Sequence, residues 1–249
     1  MKIMLISLAI VACFMITGVP LYIDAGAAPE KSAAQIERVE KPAELALPTY
    51  KPRKESTPRA RIGDRIRGVG DDPEVAVLVP DHVAFSSKQR PSLYWYLSKP
   101  TSWPIRFTLN DSRVVRPLID APIPSPAPPG IHRIRLQDFG QSLDVDVQYI
   151  WAISVIPDPE SPSKDIASGG IIESIDYAEA CLLGPCICTR DEVFRYAQEG
   201  FWYDAVSCVS ELIDAAPKDH KLRELRASLL QQVGLHKVAT WDLKQNGSP

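Results

Sequence analysis

The sequence predicts an α+β fold, in which an antiparallel β-sandwich at 73–157 precedes a small helical subdomain. Three observations support this prediction. Short runs of aromatic and β-branched residues alternate with turn residues up to about position 157, with no helical period between them. A Pro- and Ser-rich stretch at 157–163 then marks a boundary. After Cys188 the apolar residues recur at helical spacing, which places helices and a polar tail at 189–249.

The first 27 residues are typical of a secretory signal peptide. Lys2 precedes an uncharged apolar run at 3–19, and an Ala-x-Ala site ends at Ala27, after which we predict cleavage. Two alternatives stay open. The apolar run just reaches the length of a membrane-spanning helix and could remain as an anchor, or Cys13 could be lipidated. All three place the rest of the chain in the periplasm or outside the cell.

Residues 28–72 are predicted to form a Pro-, Lys- and Arg-rich linker without regular periodicity. The whole chain has a net charge of −3 and an isoelectric point near 5.9, so its overall charge does not favour nucleic acid. Within the linker, contact with anionic lipid or cell-wall polymer competes with a solvated spacer, which we favour because no aromatic residue interleaves with the charges. The basic residues concerned are Lys51, Arg53, Lys54, Arg59, Arg61, Arg65 and Arg67.

The first predicted strand covers 75–79 and ends at Pro80. Two aromatic runs, at 90–97 and 105–111, flank a Pro-containing turn and are predicted to be neighbouring strands. The short stretch 113–116 could pair with them. The following segment, 121–130, holds five prolines, so we predict an exposed loop at an edge or end of the sheet.

The later strands show clearer alternation. Residues 131–136 alternate apolar and basic side chains, as a half-buried antiparallel strand does. A long strand is predicted at 145–156, and 171–175 is either a further strand or an early helical turn. The boundary segment 158–188 also contains three of the cysteines. Short strands joined by turns favour a sandwich of the immunoglobulin-like kind.

Capping signals divide the helical part into three predicted helices. Thr189 and Glu192 form a Ser/Thr-x-x-Glu capping box, and Gly200 ends the helix that follows. A second helix begins near Trp202, and Asp219 caps a third that ends at Gly234. The tail beyond Trp241 is polar.

The helical residues 196–235 resemble a single tetratricopeptide-type helix pair with one further helix. Small, aromatic and stop residues stand where such a repeat places them, at Ala197, Gly200, Tyr203, Ala205 and Pro217. One repeat cannot bury its own faces, so we expect these helices to pack on the sandwich.

The order of motifs across 59–235 is more specific. It resembles the bacterial family known as domain of unknown function 928. The motifs are the segments 59–68, 76–80, Pro91-Ser92-Leu93-Tyr94-Trp95-Tyr96, Pro129-Gly130-Ile131, Tyr149-Ile150-Trp151 and 196–205. The resemblance implies a secreted or periplasmic protein. It supplies no catalytic residue, because the family has no assigned activity.

Four cysteines remain after the signal peptide: Cys181, Cys186, Cys188 and Cys208. In an exported chain an even number predicts disulfides, and four cysteines allow three connectivities. We favour a bridge from Cys208 to Cys186 or Cys188. A four-thiolate zinc site is the alternative, but the spacing lacks the two Cys-x-x-Cys pairs usual for such sites. We therefore predict no metal and no cofactor.

Exposed aromatic side chains on the strands would suit sugar rings, and the candidate platform is Tyr94, Trp95, Tyr96 and Trp103. The competing interpretation is that helices cover this face. The four histidines lie far apart, and no catalytic motif stands out. The sequence therefore predicts a non-enzymatic interaction or scaffold protein of the bacterial envelope with a protein partner. A carbohydrate-binding module with a glycan ligand is the alternative.

Overall fold

A computed structural model of the chain describes residues 46–53, 71–176 and 187–245, all within the compact unit Leu45–Pro249. The predicted signal peptide with Cys13, most of the predicted linker, Cys181 and Cys186 lie outside the described residues. Predictions about those residues stay predictions.

Eight strands and four α-helices follow one another along the described residues. In chain order they are β1 (Val75–Val77), β2 (Ala84–Ser86), β3 (Ser92–Leu97), β4 (Ile105–Asp111), β5 (Ile119–Ile123), β6 (Gly130–Arg135), β7 (Gln148–Val155), β8 (Ile166–Ser174), α1 (Arg190–Glu199), α2 (Trp202–Ala215), α3 (His220–Gln232) and α4 (His236–Lys244). None of the helices among these residues is long and apolar enough to span a membrane. The fold class predicted from the sequence, α+β, is confirmed.

The smaller sheet has the aromatic strand β3 at its centre. Strands β1 and β6 pair with it antiparallel, with Val77 opposite Trp95 and Tyr96 opposite Ile131. Every β3 residue after Ser92 is buried. A strand buried on both faces must be covered on both sides, so β3 is an interior strand of the molecule.

The larger sheet has the order β2-β8-β7-β4-β5. Its centre is β7, where alternate residues are buried as predicted, and Trp151 is opposite Leu109 on one neighbour and Gly170 on the other. Strand β2 runs parallel to β8, so the prediction of purely antiparallel pairing is wrong at this pair. The sequence did not indicate β2, because three residues are too few to show an alternation.

The two aromatic runs lie in different sheets, so the prediction that they are neighbouring strands is wrong. Strand β3 pairs with β1 and β6, whereas β4 pairs with β5 and β7. The connection between them contains Pro100 and Pro104, and its Thr101 bridges to Ala127. A segment with two prolines cannot close a tight hairpin ladder, and here it carries the chain from one sheet to the other.

The stretch 113–116 forms a turn, and the suggestion that it pairs with the aromatic strands is wrong. The guanidinium of Arg113 is held by Asp111 and Asp144, and Val115 is fully exposed. Pairing resumes in β5, which contains Pro122. Because β5 is an edge strand, the missing N–H of Pro122 costs the sheet little. The predicted edge position of the Pro-rich segment is confirmed, but the prediction of a loop is wrong at 121–123, which belong to β5.

The helix boundaries follow the predicted caps. The Thr189 hydroxyl accepts a hydrogen bond from the Glu192 amide at 3.2 Å, and Gly200 adopts a left-handed conformation with φ of 79°. The Glu192 carboxylate pairs with Arg195. Asp219 accepts from the Lys221 amide at 3.0 Å at the start of α3.

A fourth helix, α4, was not predicted: it begins before Trp241, and its last three residues, 242–244, lie in the predicted polar tail. Its Trp241 packs edge-on against Tyr96, with ring centroids 5.4 Å apart. The polar composition of the segment hid the helix, since only Val238, Ala239 and Asp242 are buried and one of these is charged. The smaller sheet is therefore covered in part by the end of the chain.

The helices and both sheets share one apolar core. Helix α2 packs on β2 and β3. The Trp202 indole N–H donates to the Leu78 carbonyl at 2.8 Å, and the Tyr203 hydroxyl accepts from the Trp151 indole at 2.9 Å. The prediction that the helices pack on the sheets is confirmed.

A buried ion pair at the centre of the helical part provides a test of how the helices pack. Asp242 is fully buried and accepts from Arg226 at 2.6 and 2.7 Å and from Arg223 at 3.1 Å, while Arg226 also donates to Ser210. Removing one member of such a group leaves the other charges buried without a partner, which destabilises the folded state.

We expect Asp242→Ala to lower the free energy of unfolding by about 3–5 kcal/mol. Asp120→Ala is the matched control, because it breaks the solvent-exposed pair with Arg106 and should cost less than about 1 kcal/mol. Urea denaturation measures both variants. Equal losses would show that the buried ion pair does not hold the helices together.

Candidate functional site

The aromatic side chains predicted as a ligand platform are inside the protein. Tyr94, Trp95 and Tyr96 are 5%, 1% and 6% exposed, and Trp103 is half-buried. Helices α2 and α4 cover this region, and Trp95 stacks on His132 with centroids 4.5 Å apart. The suggestion of an exposed sugar-binding surface on β3 is therefore wrong, and covering by helices is the interpretation confirmed.

Two of the four predicted disulfide cysteines lie side by side as free thiols. Cys188 precedes α1 and is half-buried, and Cys208 is buried on α2. The Cys188 thiol donates to the Glu211 carboxylate at 3.2 Å, and the Cys208 thiol is directed at the Thr189 carbonyl at 3.7 Å. The hydrogen bond with Cys188, burial and the negative charge of Glu211 all raise the pKa of Cys208.

These surroundings favour a structural role for the thiols over a reactive one. A neighbouring carboxylate opposes formation of a thiolate, which is the nucleophile and the metal ligand in cysteine chemistry. Among the described residues, no group of three or more His, Cys, Asp or Glu side chains is arranged to hold a metal ion. The predicted bridge between Cys208 and another cysteine stays a prediction.

The most developed contact surface involves residues 46–53, which we call the strap. The sequence placed them in a spacer, but they lie extended on the body of the protein. Pro48 and Tyr50 are buried, and the other strap residues are exposed. This alternation is typical of an extended peptide seated in a groove. We call the opposing surface, formed by His82, Ala197, Glu199, Phe201, Trp202 and Gln232, the strap groove.

Main-chain hydrogen bonds hold the strap. The Gln232 side-chain amide pairs with it twice, accepting from the Tyr50 N–H at 2.9 Å and donating to the Pro48 carbonyl at 2.8 Å. The Lys51 N–H donates to the Ala197 carbonyl at 3.0 Å. These bonds are made only to the backbone of the strap, so they position its main chain. The side chains of the strap are held by other contacts.

Tyr50 is the buried anchor of the strap. Its ring meets Trp202 edge-on with centroids 4.9 Å apart and stacks on His82 at 5.8 Å. Its hydroxyl lies 3.0 Å from His82 Nε2, and Asp81 lies 3.5 Å from the other ring nitrogen of this histidine. Burial raises the pKa of Tyr50, so the hydroxyl stays protonated at neutral pH. The pocket therefore accepts a neutral phenol with a polar partner at its tip.

Arg53 meets the carboxyl end of α1. Its guanidinium donates to the Glu199 carbonyl at 3.0 Å and lies 4.5 Å over the Phe201 ring. The last carbonyls of a helix carry partial negative charge, so a cation is favoured there. The aromatic face adds a cation–π contact.

Gly200 lets the strap approach the turn between α1 and α2. Its φ of 79° disfavours any side chain, and a Cβ at this position would lie 2.6 Å from the Lys51 carbonyl oxygen and would clash with the Arg53 side chain. Gly200, which ends α1, therefore also forms part of the surface on which the strap lies.

The family model for Domain of Unknown Function (DUF928) matches residues 62–243, which is well over half of the chain. The chain belongs to this family. No curated protein matches it. Among solved structures, the chain is similar to a multi-domain immunophilin from Arabidopsis thaliana, with 8% identity over 80% of this chain and 99% of that chain and a TM-score of 0.17. A likeness at that score carries no argument about the fold. The strap precedes the matched DUF928 region.

Sequence reasoning missed the strap groove because its parts are far apart in the chain. Tyr50 and Gln232 are separated by 182 positions, and neither belongs to a motif. The sequence predicts the histidines to be solvated surface or turn residues, whereas His82 is half-buried and its Nε2 lies 3.0 Å from the Tyr50 hydroxyl. One signal was available, since Tyr50 is a lone large aromatic in a Pro- and Lys-rich stretch and follows Pro48 by two residues.

We expect Gly200→Ala to destabilise the protein more than Gly234→Ala. The two glycines have almost the same φ, 79° and 78°, but a Cβ on Gly234 meets nothing within 4 Å. Both variants carry the left-handed cost of about 1 kcal/mol, and only Gly200→Ala also collides with the strap. Thermal unfolding and Trp202 fluorescence report the difference, and equal losses would show that the strap does not rest on Gly200.

In protein folded under oxidising conditions, we expect a disulfide between Cys188 and Cys208, because Cys208 Sγ lies 3.7 Å from the carbonyl oxygen of Thr189, the residue after Cys188. A loop of this size stabilises the folded state by about 3 kcal/mol in the chain-entropy model. Non-reducing peptide mapping by mass spectrometry should find the linked peptides, and a reduced sample is the control. A bridge from Cys208 to Cys181 or Cys186 would contradict the expectation.

Proposed function

We propose that this protein is a non-enzymatic interaction or scaffold protein of the bacterial envelope. The observation that carries the proposal is the way in which the helical part holds the strap. An extended segment is bound through its backbone by Gln232, and a buried aromatic anchor fills a pocket, which is a common mode of peptide recognition. The location outside the cytoplasm rests on the amino-terminal sequence and on the predicted cleavage after Ala27.

We further propose that α1 and α2 form a tetratricopeptide-like hairpin and that the two sheets are related to an immunoglobulin-like sandwich. In support of the hairpin, Gly200 turns the chain between the helices and Ala197 and Ala205 are fully buried where they pack. In support of the sandwich, β1 of the smaller sheet contacts β7 and β8 of the larger one. The parallel pairing of β2 and β8 is a departure from that architecture.

Affinity capture tests this function. The full-length protein is immobilised and exposed to envelope extract from its source bacterium, with heat-denatured protein as the control. We expect one envelope protein to be retained by the folded protein only. Failure to retain any protein, together with turnover of an envelope substrate, would overturn the proposal. Cell fractionation with amino-terminal sequencing tests the location, where a mature end at Ala28 and an unchanged fraction for Cys13→Ser are expected.

A further inference from the structure

We propose that the strap groove is a peptide-recognition site and that the strap is a displaceable stand-in for an extended segment of a partner protein. The ligand class is a Pro-x-Tyr-x-x-Arg segment, which is the pattern formed by Pro48, Tyr50 and Arg53. This inference rests on the proposed interaction function and names the surface and the partner chemistry.

The main-chain contacts of the groove suit any extended segment. Gln232 offers one acceptor and one donor to the backbone two residues apart, and the Ala197 carbonyl takes the next N–H. Gln232 is itself exposed, and its other contacts are to Ser228 on its own helix. Its side chain is therefore not part of the core, and outside its own helix it binds the strap.

The side-chain contacts provide selectivity. The pocket between Trp202 and His82 accepts a ring and satisfies a hydroxyl, which favours tyrosine over phenylalanine. The carboxyl end of α1 and the face of Phe201 favour a guanidinium three positions later. A planar guanidinium can use the carbonyl and the ring together, which a lysine ammonium does less well.

The strap is exposed along most of its length. Of its eight residues only Pro48 and Tyr50 are buried, and the rest face solvent. Because the strap belongs to the same chain, its effective concentration at the groove is about millimolar. A partner segment must compete with it, so the intact protein binds such a segment weakly until the strap is released.

The test uses the full chain with a weakened strap, Tyr50→Ala together with Arg53→Ala. A fluorescein-labelled peptide with the sequence of residues 46–53 is added, and fluorescence polarisation measures its binding. We expect the variant to bind the peptide at least about tenfold more tightly than the wild type does. Adding Gln232→Ala to the variant, or replacing the tyrosine of the peptide by alanine, should reduce the affinity at least about tenfold.

A folded variant, verified by circular dichroism, that binds the peptide no better than the wild type would overturn the proposal. Hydrogen exchange on the wild type provides a second measurement that does not depend on the variant folding. The Tyr50 and Lys51 amides should exchange much faster than the amides of β7, through an opening of the strap alone. Exchange of both sets at one rate would show that the strap is an integral part of the fold, and would also overturn the proposal.

Light scattering on the wild type distinguishes a foreign partner from a second copy. A monomer is expected, whereas a dimer with exchanged straps would identify the occupant as another copy of this chain and overturn the proposal. The proposed function fails separately. If affinity capture retains a partner equally well with Gln232→Ala and the peptide does not bind, the interaction function stands and the strap groove is not its site.

Discussion

The start of α2 is the junction on which the rest of the molecule depends. Two consecutive side chains there contact both sheets: the Trp202 indole donates to the Leu78 carbonyl beside the smaller sheet, and the Tyr203 hydroxyl donates to Ile171 and accepts from Trp151 in the larger one. Leu78, Trp151, Trp202 and Tyr203 are buried, so each polar atom there needs its partner. The hydrogen bonds fix the height and rotation of α2, and the other helices are arranged around it.

A second constraint comes from the next residue along the same helix. Asp204 is buried and accepts from the Ser87 amide at 2.8 Å and from its hydroxyl at 3.0 Å. Burial raises the pKa of Asp204, so this charged anchor is costly and is held by directed donors. Residues 202–210 of α2 are all buried, among them Asp204 and Cys208. The helical part is thus a layer of one core, not an independent array.

The sequence predicted well those features that depend on local chemistry. Thr189, Gly200 and Asp219 mark helix ends because capping needs only neighbours in the chain, and the alternation in β7 reflects one buried face. Partners at long range were predicted poorly. Strands β3 and β4 are adjacent in sequence but lie in different sheets, and β2 is too short to show a pattern. The strap groove joins Tyr50 to Gln232, and no local signal specifies such a pair.

The separation of 182 positions between Tyr50 and Gln232 has a consequence for biogenesis. A chain emerges from the ribosome with its amino end first, so Tyr50 is made long before the helix that clasps it exists. Until α3 has been synthesised, the Tyr50 N–H and the Pro48 carbonyl lack their partner Gln232. The strap therefore cannot be fully bound before α3 has been made, and a chain that stops short of α3 would hold it without the two hydrogen bonds from Gln232.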